Sequence, residues 1–189
     1  MPQCRYWSLP RQRAAQANNA AISRLEKEHL AESIIKEVAM FKKMLVPLDG
    51  SSFSEICLEQ AKAIAKGCSV PEVILFKVVE PVPGYAGVGE DWQAESEKRA
   101  REWTKSYLAS VAEQLKKEGI EARTAMAEGN AAEEILEYAN KNKVDLIVMS
   151  THGSSGVVRW VLGSVADRVL RHAHCPVLVV SPHGARSSK

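Results

Sequence analysis

No uninterrupted apolar run in this 189-residue chain approaches the ~20 residues of a membrane-spanning helix. The N-terminus carries charges but no apolar stretch of the secretory kind. Cysteine is sparse: Cys4, Cys57, Cys68 and Cys175 are scattered, with no CxxC pair, which points to a reduced compartment rather than a disulfide framework. A large excess of charge of one sign is missing too. A formal net charge of +2 is too small to imply a nucleic acid partner, and Arg5, Arg11 and Arg13 alone account for it. Neither G-x-x-x-x-G-K-[ST] nor G-x-G-x-x-G after the first strand occurs. The histidines make no metal set: His172 and His174 would point to different faces, His183 lies in the tail and His152 in a loop. No Ser-His-Asp or Cys-His order marks a catalytic constellation. No catalytic residue and no metal ligand is therefore assigned. There is no internal repeat. The chain reads as cytoplasmic, with no membrane and no nucleic acid partner.

What remains is an ordinary globular composition, 46% hydrophobic and 25% charged, long enough for one domain with an appendage. Residues 1–39 differ from the rest. They read as an N-terminal extension in which 20–39 can form an amphipathic helix through Ile22, Leu25, Leu30, Ile34, Ile35 and Val38. The alternative is a leader that the native gene does not use. Lys36 to Met40 can be encoded as AAG-GAG-GTN-GCN-ATG, a ribosome-binding sequence ahead of an initiator Met40. From residue 40 the pattern is regular, giving a domain over 40–182 and a flexible tail at 183–189.

Five apolar segments read as strands: Lys43 to Pro47, Val73 to Val79, Ile120 to Ala127, Asp145 to Met149 and Pro176 to Val180. Between them lie helices. The first runs to about Lys66, with Ser52 and Glu55 at capping-box spacing. The second, Asp91 to Glu118, carries Trp103, Tyr107, Val111 and Leu115 on one face and ends at Gly119. Asn130 caps the third, and Ser164 caps and opens the fourth. Pro81 to Glu90 reads as a mobile loop. Near-continuous Val/Ile/Leu runs mark strands buried on both faces, hence an α/β doubly wound open five-stranded parallel sheet, whose order is taken as 3-2-1-4-5.

In such a sheet the ligand sits beyond the carboxyl ends of the strands, where the order reverses. That places Pro47-Leu48-Asp49-Gly50 opposite Met149-Ser150-Thr151-His152-Gly153. The second stretch leads through a loop to Gly163-Ser164 and a helix start. Unpaired N–H groups and the helix dipole make that start an anion cradle. A carboxylate facing a phosphate cradle suits a nucleotide: Asp49 can accept from ribose hydroxyls or a base amine, or hold a divalent metal.

These residues resemble the universal stress protein family over Met40 to Ser181. The matching pieces are Leu45 to Ser51, Phe76 to Pro81, Glu128-Gly129-Asn130, Asp145 to Met149, Thr151-His152-Gly153, Gly163 to Ala166 and Cys175 to Val180. The ATP-binding branch of the family carries G-x2-G-x9-G-[ST]. Gly153, Gly163 and Ser164 match it, and Ser150 stands at the first glycine. The resemblance implies a flavodoxin-like or adenine-nucleotide alpha-hydrolase-like fold and ATP as ligand, with Mg²⁺ or Mn²⁺ as companion. It implies Asp49 on the ribose or adenine side, Val78 against the base, Met149 and Ser150 along the adenosine, and Pro47 among the cofactor-binding residues. Gly153, Gly163, Ser164 and Val165 would hold the phosphates. Lys77 stands where many members have histidine. The resemblance further implies a homodimer through the last strand, Val177 to Val180, and a regulatory role in the stress response. Two other classes stay open: a slow ATPase or autophosphorylating enzyme, and a nucleotide-free dimeric interaction module, which Ser150 favours.

Overall fold

Strand and helix alternate along the chain because apolar runs alternate with amphipathic segments. In a computed structural model, residues 40–81, 90–151 and 162–181 are described. The expectations for 1–39, for the Pro81 to Glu90 loop beyond its ends, for most of the 150–163 loop and for the 183–189 tail lie outside those residues. The element order is β1 (Lys43–Pro47), α1 (Ser52–Glu55), α2 (Leu58–Gly67), β2 (Glu72–Val79), α3 (Glu90–Lys117), β3 (Ala122–Glu128), α4 (Ala131–Lys141), β4 (Leu146–Ser150), α5 (Ser164–His172) and β5 (Val177–Val180).

All five strands pair in parallel, in the order β3-β2-β1-β4-β5. Every residue of β4 is buried, as are Met44 to Pro47 of β1. This is the reason the central strands carry no polar alternation. The edge strand β3 has no fully buried residue, and the polar Arg123, Thr124 and Glu128 are its exposed positions. Two apolar clusters follow from the pleat. Met44, Val46, Leu75 and Val148 pack with α2 and with Leu108, Val111 and Leu115 of α3. Leu45, Ile74, Phe76, Ile147 and Met149 pack on the opposite face with Ile135 of α4 and Val169 of α5. Right-handed crossovers require this division, since the chain winds one way through β1-β2-β3 and the other way through β4-β5.

Helix ends account for three departures from the sequence reading. The N-cap of α1 is Ser51, not Ser52: the Ser51 hydroxyl accepts from the Ser54 N–H (3.2 Å). The Asp49 carboxylate makes the choice, because its Oδ1 accepts from both the Ser51 N–H (2.8 Å) and the Ser51 hydroxyl (2.6 Å). The single helix expected to run to Lys66 is interrupted at Ile56 and Cys57, where the fully buried Cys57 donates its thiol to the Ser54 carbonyl. Burial pushes that thiol up to about 12, so it is inert as a nucleophile at neutral pH. The third strand begins at Ala122 rather than Ile120. Gly119 (φ +80°) and Ile120 close α3 instead, with N–H groups donating to Lys116 and Leu115 carbonyls. That is a Schellman end, sealed by contact between the buried Ile120 and Leu115. Asn130 caps α4 as expected, accepting from the Glu133 N–H.

Candidate functional site

The carboxyl ends of β1, β2 and β4 open onto a cavity of about 510 Å³. Its position follows from topology: β1 and β4 are neighbours whose following chains leave in opposite directions, so their ends part. Crossover helices run antiparallel to the strands, so the N-terminal portions of α1, α3, α4 and α5 crowd the same rim. On the β1 side stands the Asp49–Gly50–Ser51 turn. Gly50 is required there twice over. Its φ is +89°, and a Cβ on it would lie 2.4 Å from the edge of the Trp103 ring. The turn is pinned by the Ser51 bonds to Asp49 and by the Asp49 N–H, which donates to the hydroxyl of buried Ser54 (3.3 Å).

Lys77 crosses this turn. Its ammonium donates to the Asp49 main-chain carbonyl (2.8 Å) and lies 5.5 Å from the centroid of the Trp103 ring. Burial pulls Lys77 below the ordinary lysine range, although the charges of Asp49 and Glu80 act the other way. Behind Trp103, Tyr107 stacks in parallel at 5.3 Å and donates its hydroxyl to Glu55 (2.9 Å). Burial, and then that carboxylate, raise the phenol well above its usual value, so it stays protonated as a donor.

The far side of the cavity is the start of α5. The N-cap is Gly163, in extended conformation (φ −59°, ψ 149°), and no side chain caps the helix. This corrects the capping role expected of Ser164, which is the first helical residue with an exposed side chain. Its hydroxyl is therefore not engaged in capping α5. Gly163 is anchored by its N–H to the Thr151 carbonyl (2.9 Å). The N–H groups of Ser164, Val165 and Ala166 have no partner one turn earlier within the helix, as at any helix start.

The universal stress protein family model matches residues 40–181. The chain belongs to the universal stress protein family. Among curated relatives, universal stress protein MJ0531 of Methanocaldococcus jannaschii is 40% identical over 156 residues, covering 82% of this chain and 91% of that protein. YxiE of Bacillus subtilis is 35% identical over 147 residues, 75% of this chain and 99% of its own. The solved structure of MJ0577 from Methanocaldococcus jannaschii is 30% identical with a TM-score of 0.65, covering 75% of this chain and 96% of that one. A universal stress protein in complex with cAMP shares the fold at 22% identity and a TM-score of 0.57, covering 74% and 97%.

This universal stress protein gathers Pro47, Asp49, Val78, Met149, Ser150, Gly163, Ser164 and Val165 around the one cavity. Gly153 lies outside the described residues. Ser150, at the end of β4, is 7% exposed. Sequence reading missed the α3 wall of Ala100, Trp103 and Thr104 and the α4 wall of Ala131 and Ile135. By periodicity Trp103 belongs to the apolar stripe of its helix; the residue is instead 53% exposed, at the cavity rim. The available signal was its place in the N-terminal half of a crossover helix, on the side of the sheet where ligands sit. Among the described residues no helix is long and apolar enough to cross a membrane.

Proposed function

We propose that this universal stress protein binds ATP in the cavity and acts as a dimeric cytoplasmic regulator of the stress response, with 40–182 as its functional domain. One observation carries the reading: a cavity of about 510 Å³, large enough for a mononucleotide, has the Asp49 turn on one side and the start of α5 on the other. Asp49 would take ribose hydroxyls. Val78 and Met149 offer apolar surface to the base. Gly163, Ser164 and Val165, with Gly153, would hold the phosphates by main-chain N–H groups and the Ser164 hydroxyl. Mg²⁺ or Mn²⁺ would travel with the phosphates, whose charge it partly neutralises. A universal stress protein of the same fold holds cAMP.

Calorimetric titration of the purified chain with ATP and Mg²⁺ tests this. Saturable heat with a dissociation constant in the range of about 1 µM to 1 mM is expected; no heat at millimolar nucleotide overturns it. Ser150 in place of a glycine favours the nucleotide-free interaction module as the second reading. Adenine nucleotide extracted from freshly purified protein would exclude that module.

The dimer would form through β5, Val177 to Val180. The Ile147 N–H donates to Pro176 and the Thr151 N–H to Val180, so the even-numbered backbone groups of β5 face β4. The N–H and carbonyl of Val179 then point to the outer edge, which no described strand covers. Val179→Pro removes an outward donor without touching the β4 ladder. In sedimentation velocity its dimer should be about tenfold weaker, with little change in melting temperature. A dimer as tight as that of the unaltered protein would place the interface elsewhere.

A further inference from the structure

On its α3 side the cavity holds a cation with no anionic partner at hydrogen-bond distance among the described residues. The Lys77 ammonium has three donors, and its one hydrogen bond to a described group goes to the neutral carbonyl of Asp49. Its other contact is the face of Trp103, which Tyr107 backs by stacking and which Gly50 meets edge-on. These contacts hold the ammonium in one position. They compensate a half-buried charge poorly, and burial lowers its proton affinity despite Asp49 and Glu80. An anionic oxygen would supply what is missing.

Position narrows the choice of anion. Phe76 and Val78, the neighbours of Lys77 along β2, pack on the α4–α5 face. The alternation of the strand sends Lys77 to the α3 side. A phosphate chain at the start of α5 lies on the other face and leaves Lys77 to a different group. Asp49 belongs to the turn that Lys77 contacts, and its carboxylate suits a ribose hydroxyl. We propose that Lys77 is a second anion-contacting residue of the cavity, and that the ligand it recognises is an adenine nucleotide bearing a further phosphate on the ribose 2′ or 3′ oxygen. This rests on the nucleotide reading above. Either substitution leaves one ribose hydroxyl for Asp49.

The test is calorimetry on the full chain and on Lys77→Met and Lys77→Arg, with ATP, AMP, adenosine 2′,5′-bisphosphate and adenosine 3′,5′-bisphosphate. One bisphosphate should bind about tenfold tighter than AMP, and which one tells the 2′ from the 3′ position. Read as a ratio to AMP, so that any common loss cancels, the advantage should vanish in Lys77→Met and persist in Lys77→Arg. Should the methionine variant fail to fold, Lys77→Gln keeps a donor for the Asp49 carbonyl without charge and decides in the same way. ATP binding without any bisphosphate advantage overturns the assignment of Lys77 alone. So does an advantage that survives removal of the charge. If neither ATP nor AMP binds, the nucleotide reading falls and takes this one with it.

Discussion

Ser164→Asp is expected to weaken ATP binding about a hundredfold while leaving the fold as stable as before, or slightly more stable. The two effects have opposite signs for one reason. A carboxylate in the first turn of α5 meets the positive end of the helix dipole, worth about 0.3–1 kcal/mol in favour of the folded chain. The same carboxylate occupies the ground on which the phosphates would rest. At about 4 Å and an effective dielectric constant near 20, like charges repel by roughly 4 kcal/mol, and exposure of the site reduces this to about 2–3 kcal/mol. A loss of about 2.7 kcal/mol is a factor of about 100 in affinity. A variant that merely damaged the fold would lose stability and binding together. ATP titration beside a thermal melt separates the cases, and undiminished ATP affinity would remove the start of α5 from the site. Ser164→Ala, which keeps every main-chain donor, should cost less than about tenfold.

Phe76→Ala is expected to lower stability by about 4 kcal/mol. Phe76 is fully buried in β2, with its ring centroid 4.5 Å from that of Tyr138 on α4. Its neighbours belong to the sheet and to α4 and cannot all close on the space it leaves, so the cavity term adds to the lost transfer energy. Against a typical total of about 5–15 kcal/mol the loss is large, and the melting temperature should fall by about 8–16 °C. Denaturant unfolding gives the free energy directly. A loss below about 1.5 kcal/mol would mean that α4 collapses onto the sheet and that the ring is not the wedge between them.

The sheet was readable because a strand buried on both faces leaves no polar residue to confuse the pattern; Met44 to Pro47 and Leu146 to Met149 are such runs. Strand order was a supposition, since handedness constrains each crossover without choosing among orders; the order 3-2-1-4-5 is the one found, and with it the switch point between β1 and β4. Helix ends were readable only where one residue type does one job. Asn130 and Gly119 announced themselves. Ser69 (φ +50°) and Lys143 (φ +55°) close α2 and α4 in the left-handed conformation without being glycine, and nothing in their side chains marks that role. The choice of Ser51 over Ser52 as cap depends on a bond to Asp49 that spacing does not reveal. The wall of Trp103 and Lys77, which Tyr107 backs, was hidden for another reason. Its members come from two segments, and periodicity describes one segment at a time.

The register of the sheet has a consequence for the order in which the chain acquires its site. β1 lies beside β4, and the Lys43 N–H reaches the carboxylate of Asp145, 102 residues further along. Pairings of such separation close large loops and form slowly. A nascent chain that has made β1, β2 and β3 already holds Asp49, Lys77 and Trp103, but it has no cavity, because the opposite wall has yet to be synthesised. Competence to bind arrives with the last two strands and α5. A ligand of this cavity cannot template the early steps of folding, and its binding certifies that the domain is complete.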